Sequence, residues 1–133
     1  QVRVELTERA LLENNDVVLE NMRALKKMGI KILLDDFGTG YSSLSYLHRF
    51  PMDVLKIDRS FIENVHERGN HQAIIKTIID LAANLNMATV GEGIENEADA
   101  EVLRSMGCIY GQGFYYFKPL PGDEIETFLI SKC

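Results

Sequence analysis

Two periodicities of apolar residues alternate along this chain, and together they predict a strand followed by a helix five times over. Short runs rich in β-branched residues predict strands within Val2–Leu6, Lys31–Leu34, Val54–Asp58, Met87–Val90 and Ile109–Phe117. Runs with helical spacing predict helices over Asp16–Met28, Ser42–Arg49, His71–Leu85, Asn96–Met106 and Gly122–Ile130. Strands that alternate with helices are typical of a parallel sheet with right-handed crossovers.

Polar residues near the carboxyl ends of the strands distinguish between an open flavodoxin-like sheet and part of a (β/α)8 TIM-like barrel. They are Glu5, Glu8, Asp35, Asp36, Lys56, Asp58, Glu92, Glu95 and Gln112. Active sites of parallel β/α proteins lie at that end of the sheet. The outer two of five flat strands would lie roughly 19 Å apart, too far for these groups to share one site. We therefore predict an α/β fold, a partial barrel of about five parallel β/α units.

Composition restricts the function further. The 133 residues suffice for one domain, and a net charge of −6 disfavours general DNA binding, which relies on Lys and Arg contacts with phosphates. The two cysteines, Cys108 and Cys133, form no C-x-x-C pair and suit a reducing cytoplasm. No apolar run approaches the roughly 18 residues of a membrane span, so we expect no membrane contact by this segment.

The adjacent carboxylates Asp35 and Asp36 give the most specific local signal. Two acids directly after an apolar strand are unfavourable unless cations or hydrogen bonds neutralise them. Hard cations such as Mg²⁺ or Mn²⁺ take oxygen ligands, and Glu5 and Glu92 supply further carboxylates. A two-metal phosphodiester cleavage site needs such a cluster, in which Lys56 would hold or polarise the attacking water.

Each candidate also has a structural interpretation. An Asp-Asp pair can be a helix N-cap beside a solvated acid, Glu5 a surface residue, and Glu92 or Gln112 a turn residue between glycines. The histidines, His48, His66 and His71, are interpreted as surface or helix-start residues. The aromatic run Phe114–Phe117 is interpreted as strand packing rather than as a platform for base stacking. The functional interpretation prevails because the polar residues share one edge.

Five motifs in this order resemble the EAL domain family, which is named for a Glu-Ala-Leu motif. They are ELTE at 5–8, DDFGTGYSSL at 35–44, LKID at 55–58, GEGIE at 91–95 and GQGFYYFKPLP at 111–121. The resemblance covers essentially the whole chain, and it implies a modified TIM barrel. It also implies Mg²⁺- or Mn²⁺-dependent hydrolysis of cyclic di-GMP to linear pGpG.

The resemblance also assigns roles to individual residues. Metal ligands would be Glu5, Asp35, Asp36 and Glu92, and the groups that act on water or substrate would be Lys56, Glu92 and Gln112. Loop and supporting residues would be Glu8, Thr39, Asp58 and Glu95, with Glu8 tethering the DDFGTGYSSL loop.

The Glu-Ala-Leu segment of the family is absent from the sequence, as are its metal-binding glutamate, the arginine that follows and an asparagine that precedes ELTE. We therefore expect this chain, residues 1–133, to be the C-terminal part of an EAL domain that lacks about three of eight strands. We expect it to be inactive or nearly so alone. Exposed strand edges predict a homo-oligomer, a domain swap or a bound complementary fragment.

Two alternatives are weighed against this hypothesis. A phospho-acceptor receiver domain needs its acidic pair after the first strand and its lysine after the fifth, whereas here the pair follows the second strand and Lys56 lies on the third. An EAL-type module that binds cyclic di-GMP without cutting it usually loses metal ligands, and those visible here are retained. A lesion in the absent segment would still produce such a sensor.

Overall fold

The computed structural model describes residues 3–12, 15–38 and 47–132, and these form one five-stranded sheet and six α-helices. The strands are β1 (Arg3–Thr7), β2 (Lys31–Phe37), β3 (Val54–Ile57), β4 (Ala88–Glu92) and β5 (Tyr110–Gln112). The helices are α1 (Glu8–Leu12), α2 (Asn15–Lys27), α3 (Arg59–Ile62), α4 (Gly69–Asn84), α5 (Glu97–Ser105) and α6 (Gly122–Lys132), with a 3₁₀ helix at Val65–Glu67. The predicted helix Ser42–Arg49 lies mostly outside the described residues.

The described strands run parallel in the order of the sequence, β1-β2-β3-β4-β5, so the predicted α/β fold with five parallel strands is confirmed. Two of the helices, α1 and α3, were not predicted, because one is five and the other four residues long. None of the helices in the described part is both long enough and apolar enough to cross a membrane.

Curvature of the sheet is visible in a contact between its two edge strands. The Arg3 guanidinium carbon of β1 lies 5.7 Å from the centre of the Tyr110 ring of β5. Five flat strands would hold β1 and β5 roughly 19 Å apart. The sheet is therefore curled into a trough, as a barrel segment is and an open flavodoxin-like sheet is not.

The two faces of the trough have different packing. Side chains alternate between faces along a strand, so one set points to the helices. On that side Ile32, Leu34, Leu55 and Ile57 are fully buried in the large core that the helices cover. On the concave side a small cluster forms the floor, consisting of Leu33, Val54 and Val90 with Ala88 packed against it. The polar residues of the site stand above this floor.

Local sequence signals fix the ends of two helices. Gly29 follows α2 with φ of 77°, and Ile30 N–H donates to the Leu25 carbonyl at 3.1 Å, which is the arrangement of a Schellman cap. Before α5, the Asn96 side chain accepts a hydrogen bond from Asp99 N–H at 2.8 Å. Gly29 therefore ends α2, and Asn96 is the N-cap of α5.

Several predicted boundaries were wrong, for local reasons. Strand β2 continues through the two aspartates to Phe37, and β4 continues to Glu92, because pairing with neighbouring strands extends past the apolar run. Strand β5 lies within the predicted range Ile109–Phe117 and ends at Gln112. The aromatic run Phe114–Phe117 therefore follows the strand, and all four side chains are exposed, so the packing interpretation of this run was wrong.

At the opposite, amino-terminal end of the sheet, Asp53 joins β3 to neighbouring elements. Its carboxylate accepts hydrogen bonds from Ile32 N–H at 2.9 Å and from the Lys31 ammonium at 3.1 Å, and it forms an ion pair with Lys26 of α2. Burial raises the pKa of Asp53, but the hydrogen bonds from Lys26 and Ile32 outweigh it, so the net pKa is lowered. This carboxylate is a structural tie remote from the strand ends that carry the site.

Candidate active site

A buried lysine lies at the centre of the candidate site. Lys56 on β3 is only 3% exposed. Its ammonium nitrogen lies 3.1 Å from Glu5 Oε2, 3.1 Å from Asp35 Oδ1 and 3.4 Å from Glu92 Oε2. These carboxylates come from β1, β2 and β4, and β1 is two strands away from β3. Curvature of the sheet therefore brings together four side chains that the sequence analysis predicted to share one site.

The surroundings of Lys56 determine its protonation. Burial lowers the pKa of this amine, but hydrogen bonds to Asp35 and Glu5 and the charge of Glu92 outweigh burial and raise it. Lys56 is therefore an ammonium at neutral pH, which carries three N–H donors and no lone pair. In this state it can hold or polarise a bound group, but it cannot accept a proton.

A β-bulge places both aspartates at the site. Leu34 pairs with Leu55 and Phe37 pairs with Ile57, so Asp35 and Asp36 together stand opposite Lys56. Asp36 takes a left-handed conformation with φ of 56°, and its N–H donates to Asp35 Oδ1 at 3.0 Å. In a regular strand consecutive side chains point to opposite faces. The bulge instead lets both residues line the same cavity.

Beside the cluster lies a cavity of about 310 Å³, within the size range of small-molecule sites. Among the described residues, its walls are formed by Asp35, Asp36, Asp58, Arg59, Glu92, Gly93, Glu95, Gln112, Gly113 and Phe114. Gln112 ends β5, where it pairs in register with Glu92. The cavity thus brings together residues from β2, β4 and β5 and from the loops that follow β3 and β4.

The other predicted site residues are placed as follows. Glu8 is not at the end of a strand but begins α1, and it is buried. Asp58 accepts a hydrogen bond from Ser60 N–H at 2.9 Å as the N-cap of α3, so it has a structural role while it lines the cavity. Glu95 pairs with Arg59 at 2.7 Å. Thr39 lies outside the described residues.

The chemistry of the site suits a hard divalent cation, because its ligand atoms are carboxylate oxygens. In the part of the chain that the structure describes, no three acidic, histidine or cysteine side chains stand close enough to hold one ion. Instead the Lys56 ammonium lies between Glu5, Asp35 and Glu92. The donor set therefore fits a metal in the chemistry of its oxygen atoms, and its present arrangement is that of an ion-paired cluster around Lys56.

Sequence reasoning missed a partly buried hydrogen-bond network around Asp99. Asp99, which is 2% exposed, accepts hydrogen bonds from His66 N–H at 3.1 Å, from His66 Nδ1 at 2.7 Å and from Asn96 Nδ2 at 2.8 Å. The hydrogen bond to Asp99 raises the pKa of His66 despite a smaller opposing effect of burial. The spacing N-x-x-D at 96–99 was the available signal, but nothing in the sequence pointed to His66.

This network and the Arg59–Glu95 ion pair both join the segment after β3 to the segment after β4. The first segment carries Arg59 and His66, and the second carries Glu95 and Asp99. Two contacts therefore connect these neighbouring segments. The sequence analysis predicted Glu95 as a supporting residue but did not predict Arg59 as its partner.

A model of the EAL domain family matches residues 1–119 of this chain. Among curated proteins, the cyclic di-GMP phosphodiesterase PdeR of Escherichia coli is 38% identical over 125 residues, which is 94% of this chain and 19% of PdeR. The chain spans only 16% to 17% of matching relatives from Azorhizobium caulinodans, Caulobacter vibrioides and Bacillus subtilis.

Solved structures give the same relationship. The EAL domain of DcpA from Mycobacterium smegmatis superposes with a TM-score of 0.91 at 37% identity, over 98% of this chain and 58% of that one. A manganese and cyclic di-GMP complex of BlrP1 from Klebsiella pneumoniae superposes with a TM-score of 0.78 at 36% identity, over 86% of this chain and 29% of that one.

Proposed function

The chain belongs to the EAL domain family, and from this premise we propose that its domain is a metal-dependent phosphodiesterase that hydrolyses cyclic di-GMP to linear pGpG. The observation that supports the proposal is the convergence of carboxylates from three strands on buried Lys56. The adjoining cavity has room for part of a nucleotide. The name of PdeR and the ligands of the BlrP1 complex agree with this substrate and with a divalent metal.

We propose that Mg²⁺ or Mn²⁺ is held by Glu5, Asp35, Asp36 and Glu92, directly or through water. Such ions, when bound, activate water and neutralise charge that develops on the phosphate. The chain itself supplies oxygen donors on three strands, and the bulge at Asp35 and Asp36 turns two of them to the same side. Asp36 and Glu92 also line the cavity, so they face the place where substrate would lie.

The other candidate residues have further proposed roles. Lys56 donates hydrogen bonds to the attacking water or to a phosphate oxygen, since its ammonium has no lone pair. Gln112, which also lines the cavity, orients water or substrate through its amide. Glu8, Thr39, Asp58 and Glu95 support the loops around the site; of these, Glu95 acts through Arg59.

We propose that residues 1–133 form the later part of a longer EAL barrel and that this part alone hydrolyses little or no cyclic di-GMP. The 58% coverage of the DcpA domain supports this, since that domain extends beyond the match. Within the described sheet β1 and β5 are the edge strands, and exposed edges invite pairing. We accordingly propose a homo-oligomer, a domain swap or a complementary fragment that covers these edges. The free Cys108 thiol agrees with a cytoplasmic location.

The test is a cleavage assay of the full-length protein with cyclic di-GMP and either Mg²⁺ or Mn²⁺, with pGpG quantified by chromatography. Glu92→Gln, which removes a carboxylate that lines the cavity, is expected to reduce turnover at least 100-fold, about the effect of losing one electrostatic contact in an active site. Lys76→Met, on the outer surface of α4, is the matched control and is expected to retain activity. Tight binding of cyclic di-GMP without cleavage in the presence of either metal would instead identify a sensor.

A further inference from the structure

The cavity beside Lys56 carries an unusual charge distribution for a site that takes an anionic nucleotide. Five of its lining side chains are carboxylates: Asp35, Asp36, Asp58, Glu92 and Glu95. Among the described residues that line it, Arg59 is the one cationic side chain. Lys56 is already surrounded by three of the acids that are proposed to hold metal. Arg59 is therefore the cation best placed to meet a substrate phosphate that the metals do not contact.

The backbone fixes the position of the Arg59 stem. Arg59 is the first residue of α3, directly after the N-cap Asp58. Gly93 has φ of 75°, and a Cβ built on it would lie only 2.5 to 2.8 Å from the Cβ, Cγ and Cδ atoms of Arg59. Because Gly93 has no side chain, the aliphatic part of the Arg59 side chain can pack directly against the backbone at the end of β4. This contact directs the guanidinium along the cavity wall toward Glu95, which lies two residues further on.

The partner of the guanidinium is easily exchanged. Arg59 Nη2 lies 2.7 Å from Glu95 Oε1, and the two side chains are 53% and 47% exposed. Ion pairs at such exposure contribute little to stability, so replacing the carboxylate by another anion is nearly neutral. A guanidinium presents a planar fork of donors that matches two oxygens of a phosphate as well as those of a carboxylate. The pair thus keeps a phosphate-binding group oriented in the absence of substrate.

We propose that Arg59 is a substrate-positioning residue that exchanges its contact with Glu95 for the non-bridging oxygens of a phosphodiester in the bound cyclic dinucleotide. This inference rests on the proposed function and adds to it a contact outside the carboxylate cluster. Glu95 then has two states, paired with Arg59 before substrate binds and released to solvent afterwards. The exchange needs no backbone movement, because the Arg59 stem stays against Gly93.

Steady-state kinetics of the full-length protein test the proposal through the separation of KM from kcat. Arg59→Ala is expected to raise KM for cyclic di-GMP about 10-fold, as for the loss of a charge-assisted hydrogen bond, with kcat changed less than about 3-fold. Arg59→Lys is expected to recover part of the loss, because lysine keeps the charge but not the fork. Arg68→Ala, another exposed arginine before α4, is the matched control and is expected to leave KM unchanged.

A second substrate distinguishes recognition of the phosphate from recognition of the guanine base. Bis(p-nitrophenyl) phosphate is a phosphodiester without guanine, and the increase in KM caused by Arg59→Ala is expected to persist with it. An unchanged KM with Arg59→Ala, an equal increase with Arg68→Ala, or a defect confined to cyclic di-GMP would each overturn the proposal. If the wild type binds cyclic di-GMP but does not cleave it, Kd for cyclic di-GMP is compared among wild type, Arg59→Ala and Arg68→Ala instead of KM. The role of Arg59 is then still tested even though the proposed hydrolysis has failed.

Discussion

Replacement of Lys56 by methionine tests the central cluster, because methionine has a similar length and no charge. In the wild type the ammonium lies 3.1 to 3.4 Å from three carboxylate oxygens. The substitution leaves Glu5, Asp35 and Glu92 facing one another without a cation. We therefore expect the folded state to be destabilised at neutral pH by repulsion among these carboxylates and by the loss of their hydrogen-bond donor.

The magnitude follows from the exposure of the four side chains. Removing one partner of a fully buried ion pair destabilises by about 3 to 5 kcal/mol, and an exposed pair contributes about 0 to 1 kcal/mol. Lys56 is 4% exposed at its side chain, whereas Asp35, Glu92 and Glu5 are 21%, 31% and 49% exposed. Water therefore screens the remaining acids in part. We expect Lys56→Met to lower the free energy of unfolding by about 2 kcal/mol.

Urea denaturation followed by far-UV circular dichroism at low ionic strength measures this difference. Lys76→Met is the matched control, because Lys76 pairs with Asp80 one turn along α4 and both are half exposed. It is expected to change stability by less than about 0.5 kcal/mol. The loss in Lys56→Met is expected to shrink when the ionic strength is raised to about 1 M, because salt screens the repulsion among the partly exposed carboxylates. A loss that salt leaves unchanged, or one below about 0.5 kcal/mol, would refute the ion-pair explanation.

Three further predictions concern metal binding, the hydrogen bonds of Asp53 and the pH dependence of stability. Mn²⁺ is expected to raise the melting temperature of the full-length protein by its binding to the native state, and Asp35→Asn is expected to abolish the increase in differential scanning fluorimetry. Asp53→Asn is expected to lower the free energy of unfolding by about 1 to 3 kcal/mol in urea titrations, because Ile32 N–H and two lysines lose a carboxylate acceptor. The pair of His66 with Asp99 raises the pKa of His66, so its stabilisation is fully present below the unfolded pKa of about 6.5 and is lost as the pH rises through the higher folded pKa. The difference in stability between wild type and His66→Gln should therefore decrease from pH 6 to pH 9, and a constant difference would contradict this.

The sequence predicted the arrangement of the fold because the apolar periodicities are strong in each unit. It also predicted that Glu5, Asp35, Lys56 and Glu92 would meet, since parallel strands place their carboxyl ends at one edge and only a curved sheet brings that edge together. The contact of Arg3 with Tyr110 across the trough shows that the sheet has this curvature.

The details that the sequence did not predict depend on tertiary contacts. The bulge at Asp35 and Asp36 arises from the register between two strands, which periodicity along one strand does not reveal. His66 is a surface residue as predicted, but its pairing with Asp99 was not predicted because the two residues are 33 positions apart. Arg59 was overlooked for the same reason, since its ion pair with Glu95 forms between segments that follow different strands.

The left-handed backbone of Asp36 has a consequence for how this protein would respond to selection for heat resistance. That conformation costs most residues about 1 to 2 kcal/mol and aspartate less, whereas glycine adopts it freely. Asp36→Gly would therefore relax the chain at φ of 56° and remove an acid from the cavity in one step. At this position thermal stability favours glycine, whereas turnover favours aspartate. A library screened only for thermal tolerance should therefore enrich glycine at this position among its inactive members.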